Sequence, residues 1–282
     1  MATTLTVLGA GGKMGCRIVD QLRDDDAYDL RAVEPAEPGR ERLRERGVEA
    51  TDQAAALDGA DAVVMAVPDE VMSDVARAVV PALEAGAMVV LLDPAVAYAG
   101  ALPEREDVSY FVTHPCHPPL YGDETDPEAQ ADLFGGQGLA TQDVVCALDQ
   151  GPESDYARGE ALARDIYAPV DEAHRVTTEQ MAILEPALVE TLTGTCLSVI
   201  REGMDRAVEM GVPEEAARSF LLGHVRIETA VIMGLTDFPL SDAAQEAIAA
   251  AKPKVFREDW EENVFDREAI AESAADIAGT SE

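Results

Sequence analysis

The segment Leu5-Thr-Val-Leu-Gly9-Ala-Gly11-Gly12-Lys13-Met14-Gly15 constrains this chain more than any other stretch. A short apolar run ends in glycines and passes directly into Cys16–Leu22, where apolar residues recur at helical spacing. Strand, glycine turn and helix in that order let the backbone approach a ligand closely, and a pyrophosphate there would lie on helix N-terminal amides. The spacing Gly9-x-x-Gly12-x-x-Gly15 departs from a strict GxGxxG pattern, although Gly9 and Gly11 supply its first pair and Gly15 allows close helix–strand packing. Gly9, Gly11, Gly12, Lys13, Met14 and Gly15 are therefore the expected dinucleotide contacts. Glycine loops also occur as plain turns. Here the second apolar run, Leu30–Val33, ends at Glu34, 19 residues beyond Gly15, where an acid accepts hydrogen bonds from an adenosine ribose. A carboxylate there repels a 2′-phosphate and favours NAD over NADP, while Arg40 and Arg42 leave room for the phosphorylated form.

Further strands follow at Ala62–Val67, Met88–Leu92, Val108–Thr113 and Asp143–Leu148, separated by segments such as Val71–Leu83 with helical periodicity. This alternation predicts βαβ units and a Rossmann-type, doubly wound parallel sheet. Ala66, Val67 and Pro68, at the end of one strand, are expected on the nicotinamide-ribose side. A short strand near Val170–Val176 closes this region. From Thr177 the pattern turns helical: Thr177-x-x-Gln180 is a capping box, Glu214–Met233 a long helix, and Asp242-x-x-Gln245 opens another that should stop before Pro253. The acidic tail from Asp259 is expected to fray. The chain thus reads as an α/β NAD-binding domain over 1–175 and an all-helical substrate and dimerisation domain over 176–282.

With 55 acidic and 21 basic side chains the formal charge is −34, which argues against nucleic acid and anionic membrane surfaces as partners. Abundant acids beside only three lysines (13, 252 and 254) match the composition of proteins from salt-loving organisms. No run of about 18 apolar residues and no secretion signal is visible, and the four cysteines lack metal-type spacing, so a cytoplasmic protein is expected.

Four histidines stand in a chain otherwise rich in acids. His114 and His117, in Thr113-His-Pro-Cys-His-Pro-Pro119, follow a strand at the ligand side of the sheet; the plain alternative is a stiff surface loop. His224 lies one helical turn before Glu228, which suits a metal pair, an acid–base pair or a surface ion pair. His174, beside Glu172 and Arg175, reads as structural or exposed. Glu185 precedes Pro186 within the apolar stretch Met181–Val189, where a carboxylate needs a partner unless it faces solvent. His114, Glu185 and Glu228 are the catalytic candidates, and His117, Glu185 and His224 the candidate ligands of a divalent cation.

Thr113–Pro119, Glu179–Pro186, Gly223-His224 with Glu228, Phe238–Asp242 and Trp260 together resemble the 6-phosphogluconate/β-hydroxyacid dehydrogenase superfamily, in particular its D-apionate oxidoisomerase-like members. The glycine loop is also similar to that of prephenate and dihydrodipicolinate reductase-type enzymes. The resemblance implies NAD-dependent oxidation of a small hydroxylated sugar acid, coupled to a carbon-skeleton shift like that of ketol-acid reductoisomerase run backward. It also implies a homodimer built on the helical domain and a divalent cation at the substrate. Where the phosphogluconate-type pattern carries a catalytic lysine, this chain has the region of Glu185, which shifts the expectation towards a histidine- or metal-assisted mechanism. A plain NAD(P)-dependent dehydrogenase and a non-catalytic NAD-binding regulator are the alternatives.

Overall fold

The computed structural model describes residues 2–280. Strand β1 (Thr3–Leu8) leads through the glycine loop into α1 (Lys13–Leu22), followed by β2 (Tyr28–Val33), α2 (Glu37–Glu45), α3 (Gln53–Leu57), β3 (Ala62–Met65), α4 (Asp69–Val79), β4 (Met88–Leu91), α5 (Ala95–Tyr98) and β5 (Ser109–His117). These five strands are parallel, in the order β2-β1-β3-β4-β5. Strands β3 and β4 read as unbroken apolar runs because helices cover both faces: every residue of each is buried.

The sheet then departs from the expected all-parallel pattern. After α6 (Pro127–Ala131), β6 (Gln142–Gln150) runs antiparallel to β5, and β7 (Val170–Arg175), reached through α7 (Ser154–Ile166), runs parallel to β6. The β5–β6 connection is a loop with one short helix rather than a full crossover helix, so the chain turns back beside the strand it has just left. A register shift between Pro115 and His117 marks the far end of β5, and His117 has φ 60°, a conformation uncommon outside glycine.

Beyond β7 come α8 (Thr178–Ala182), a π-helical segment (Ile183–Gly194), α9 (Thr195–Glu209), α10 (Glu214–Ile232), α11 (Asp242–Val255), α12 (Trp260–Phe265) and α13 (Arg267–Ile277). The capping box at Thr177 and Gln180 forms with both of its bonds. Two compact units result: residues up to Pro186 together with the segment from Ile270, and Ala187–Ala269. The first unit runs past residue 175 to Pro186, and Met181 is buried in its core. Among the described residues the tail is ordered as helix, and Ile270, Ala274 and Ala278 are buried, the last two in that same core. Helix α11 also runs through Pro253 to Val255 instead of stopping before it.

The helical stretch Thr178–Glu209 is long and apolar enough to cross a membrane by length and composition, with a mean hydropathy of 1.4 in its best window. It contains no unbroken apolar run of that length, being interrupted by Glu185 and Glu190, and meets the criterion on its average. A single helix of this kind is weak evidence for a span.

Candidate active site

The glycine loop has the geometry its sequence predicts. Gly9 and Ala10 donate their amides to Val33 O, at 3.0 and 3.1 Å, tying the loop to the end of β2. Gly9 has φ +73°, and a side chain on it would strike Ala66 O. A side chain on Gly15 would strike Gly9 O, so this glycine is required for α1 to reach the strand. Gly12 caps α1 without a side-chain hydrogen bond, and no acid stands in the first turn. The first amides of α1, those of Lys13 and Met14 among them, are thereby left for an anionic ligand.

Glu34 stands where expected and does more than expected. Its carboxylate accepts from Gly11 N at 3.0 Å and from Ala36 N at 2.9 Å, and the residue is only 8 % exposed. It thus holds the glycine loop in place, with lone pairs left over for a ribose hydroxyl. Arg42 Nε donates to Gly11 O at 2.6 Å and Arg40 Nε to Glu34 O at 2.8 Å, so both guanidinium groups serve as struts of the same loop. Ala66, Val67 and Pro68 follow β3 directly, with Ala66 N bonded to Leu8 O at 2.9 Å.

At the C-terminal ends of β4 and β5 three ionisable groups meet. His114 Nδ1 lies 2.9 Å from Leu92 O; a carbonyl only accepts, so Nδ1 carries a proton and, in the neutral ring, Nε2 presents the lone pair. Nε2 faces Glu185 Oε2 at 3.6 Å. Asp93 completes the group, the ligand atoms of Asp93, His114 and Glu185 all lying within 4.8 Å of one another. Burial raises the pKa of Glu185, with His114 opposing and Asp93 reinforcing the shift. Asp93 is raised by burial too, against the Ala95 amide that its carboxylate accepts at 2.8 Å. Asp69, at the start of α4, is pushed up to about 6, chiefly by burial and then by Asp93. Glu185 sits in the first turn of the π-helical segment that contains Pro186, a backbone form frequent at functional sites.

His117 is placed differently. Its Nδ1 meets Phe134 O at 3.2 Å, and burial lowers its pKa, with His114, Arg17 and Lys13 adding to the effect. It is not a member of the Asp93–His114–Glu185 group. A cavity of about 460 Å³ lies between the start of α1 and this loop, its wall including Lys13, Met14, His114 and His117. His174 pairs with Asp143 at 3.2 Å on the exposed surface, as expected.

In the helical unit, His224 and Glu228 both line an apolar groove of about 690 Å³ between α9 and α10. His224 Nδ1 lies 2.8 Å from Phe220 O, and its ring stacks on Phe220 at 4.0 Å. Of the expected ligand set, His117 Nδ1 meets Phe134 O, His224 Nδ1 meets Phe220 O within the helical unit, and Glu185 stands with His114 and Asp93. Asp93 and Asp69 do not stand out in the sequence, where Asp93-Pro94 and Pro68-Asp69 read as strand terminators. The available signal was that both acids follow strands on the ligand side of the sheet.

A nucleotide loop on a mostly parallel sheet, with ionisable groups at the strand ends, defines a Rossmann-type oxidoreductase. Comparison with known proteins agrees. A family pattern described as phosphogluconate dehydrogenase (decarboxylating) C-term matches residues 122–278, and one described as NADP oxidoreductase coenzyme F420-dependent matches residues 4–93. The D-apionate oxidoisomerase of Cupriavidus necator is 50% identical over 97% of this chain and 98% of its own length. That of Rhizobium rhizogenes is 48% identical over 96% of this chain and 98% of its own. A crystal structure of a semialdehyde dehydrogenase NAD-binding protein from Cupriavidus necator, in complex with calcium and NAD, superposes with a TM-score of 0.95 at 49% identity, covering 98% of this chain and 100% of that one. The chain belongs to the phosphogluconate dehydrogenase C-terminal family, together with the D-apionate oxidoisomerases.

Proposed function

We propose that this protein is an NAD-dependent oxidoisomerase of a small branched sugar acid, with D-apionate as the substrate to test first. One observation carries the reading: a single cavity wall holds Lys13 and Met14 from the glycine loop and His114, whose free Nε2 is poised at Glu185. NAD, when bound, supplies the hydride acceptor. The chain's own part is to hold the acid at the strand ends and to take the proton of the reacting hydroxyl. His114 Nε2 suits that step, because the Leu92 carbonyl holds Nδ1 as the donor and so makes Nε2 the basic nitrogen of the neutral ring. Glu185 is the next station for the proton: burial raises its proton affinity, so its ionised form would accept the proton from His114. Glu228, on the wall of the apolar groove of the helical unit, is the further catalytic candidate.

A second reading is favoured by the donor set itself. Asp93, His114 and Glu185 offer two carboxylates and an imidazole within 4.8 Å, which suits a divalent cation. Such a cation would polarise a carbonyl and hold a hydroxy-carboxylate. His114 Nε2 would then be a ligand and the proton would pass to another group. The relative crystallised with calcium and NAD supports testing this reading, and dialysis against a chelator separates the two.

The exposed apolar side chains of α10, with Phe220 70% and Ile232 60% exposed, support a homodimer. We place the protein in the cytoplasm, in sugar-acid metabolism and in a high-salt setting, the last because of the −34 charge. Incubation with D-apionate and NAD in molar salt should produce the reduced-nicotinamide absorbance band. A product with an unchanged carbon skeleton would favour the plain dehydrogenase, and NAD binding without turnover of any sugar acid the regulator.

A further inference from the structure

The cavity beside the glycine loop has a charge and a polar inventory that the proton chemistry leaves unused. In a chain of 55 acids and 21 basic residues, its wall carries Lys13, Arg17 and Arg46. The one carboxylate in that wall, Asp20, is engaged by Arg46 at 2.9 Å and Arg23 at 3.8 Å. Asp132, whose charge also reaches Arg17, is buried and turned to the amides of Gly136, Gln137 and Leu139. Two residues of the wall hold a buried polar atom with no hydrogen-bond partner among the described residues: Arg17 at Nε and Tyr167 at its hydroxyl. Arg17 is 7% exposed and Tyr167 fully buried, so neither orphan is satisfied by bulk water. Arg17 is also pinned, one guanidinium nitrogen donating to Gly135 O at 2.6 Å. A fixed guanidinium with a donor to spare, in a net positive cavity, is built for a planar anion.

We propose that this cavity is a subsite for the carboxylate of the acid substrate, with Arg17 as the principal binding residue and Lys13 and the Tyr167 hydroxyl in support. The assignment rests on the reading that the substrate is a hydroxy-acid, and it adds how that acid is held: carboxylate towards Arg17, hydroxyl towards His114 in the same wall. A phosphate of the cofactor has the same chemistry, so the test separates the two sources.

Arg17→Met keeps most of the stem and removes the donors. It should raise KM for D-apionate about thirtyfold, the equivalent of one charged hydrogen-bond pair, and leave the NADH dissociation constant, read by fluorescence titration, within about twofold. Arg17→Lys should recover part of the loss. An NADH dissociation constant that rises as much as KM would assign the cavity to the cofactor and overturn the proposal; so would a KM that does not move. Two further measurements guard against an Arg17 variant that fails to fold. Calorimetric titration of glycerate into the wild-type protein saturated with NADH should show binding, weakened in Tyr167→Phe; no binding, or binding indifferent to Tyr167 and Arg17, refutes the subsite. Because glycerate binding needs no turnover, it also stands apart from the oxidoisomerase reading: binding that depends on Arg17, in a protein that turns over no sugar acid, would sink that reading and keep the subsite.

Discussion

Glu34→Gln tests how the nucleotide loop is held. The wild-type carboxylate accepts two backbone amides, Gly11 N at 3.0 Å and Ala36 N at 2.9 Å, in a site only 8 % exposed. Glutamine keeps one acceptor oxygen but turns an NH2 group towards the other amide, so one charge-assisted bond is lost and the second becomes neutral. Charged hydrogen bonds contribute about 1.5–3 kcal/mol and neutral ones about 0.5–1.5, which sets the expected cost near 2 kcal/mol. For a chain of this size that lowers the melting temperature by about 4–8 °C. Gly11 belongs to the loop that would meet the pyrophosphate, so NADH affinity should fall about tenfold as well. The loss of charge removes the repulsion of a 2′-phosphate, and NADPH should weaken less than NADH. Differential scanning calorimetry in molar salt, with and without saturating NADH, and fluorescence titration with both nucleotides supply the readouts. A variant with unchanged melting temperature and unchanged NADH affinity would refute the view that this carboxylate organises the loop.

Other outcomes follow from the same structure. His114→Ala should lower kcat by about 10²–10⁴ with NADH affinity intact; full turnover would remove His114 from the reaction. Asp69 has a folded-state pKa raised to about 6, so the native protein binds its proton more tightly than the unfolded chain does. Its contribution to stability is present at pH 3 and lost as pH rises to about 6; above that Asp69→Asn should stabilise by ~1 kcal/mol, a value reduced for partial exposure. No gain at pH 7.5 in a urea titration would contradict this. Dialysis against a chelator should leave activity and melting unchanged if His114 is the base, and should lower both if Asp93, His114 and Glu185 hold a cation. Light scattering at 1 M KCl should give twice the chain mass; a monomer would contradict the dimer.

The parts that were legible in the sequence are those fixed by local backbone chemistry. The glycine loop needs particular residues at particular positions, β3 and β4 are unbroken apolar runs, and the Thr177 capping box is a local hydrogen-bond pattern, so each shows in the letters. Glu34 was placed correctly by its distance from the loop, but its two amide partners could not be read, since Gly11 is 23 positions away and meets it only through the β1–β2 pairing. The reversal at β6 was hidden because a strand's direction is set by its connection, not by its composition. The Asp93–His114–Glu185 group joins residues 92 positions apart at its extremes, and Asp93 looked like any Asp-Pro turn. The contact of His117 with Phe134 could not be read, because it follows from a bulge and a positive φ that alternation along a strand does not foretell. The acid-rich surface obscured the rest: among 55 carboxylates, burial distinguishes the few that matter, and burial is a property of the fold.

The most direct test of the central reading is a ¹³C NMR time course of D-apionate with NAD in molar salt, followed together with absorbance at 340 nm. An oxidoisomerase predicts one NADH formed for each acid consumed and a product whose carbon connectivity differs from the substrate's. NADH formation with the branched skeleton intact would reduce the protein to a plain dehydrogenase, and consumption of neither NAD nor acid, in the presence and absence of divalent cations, would contradict the account.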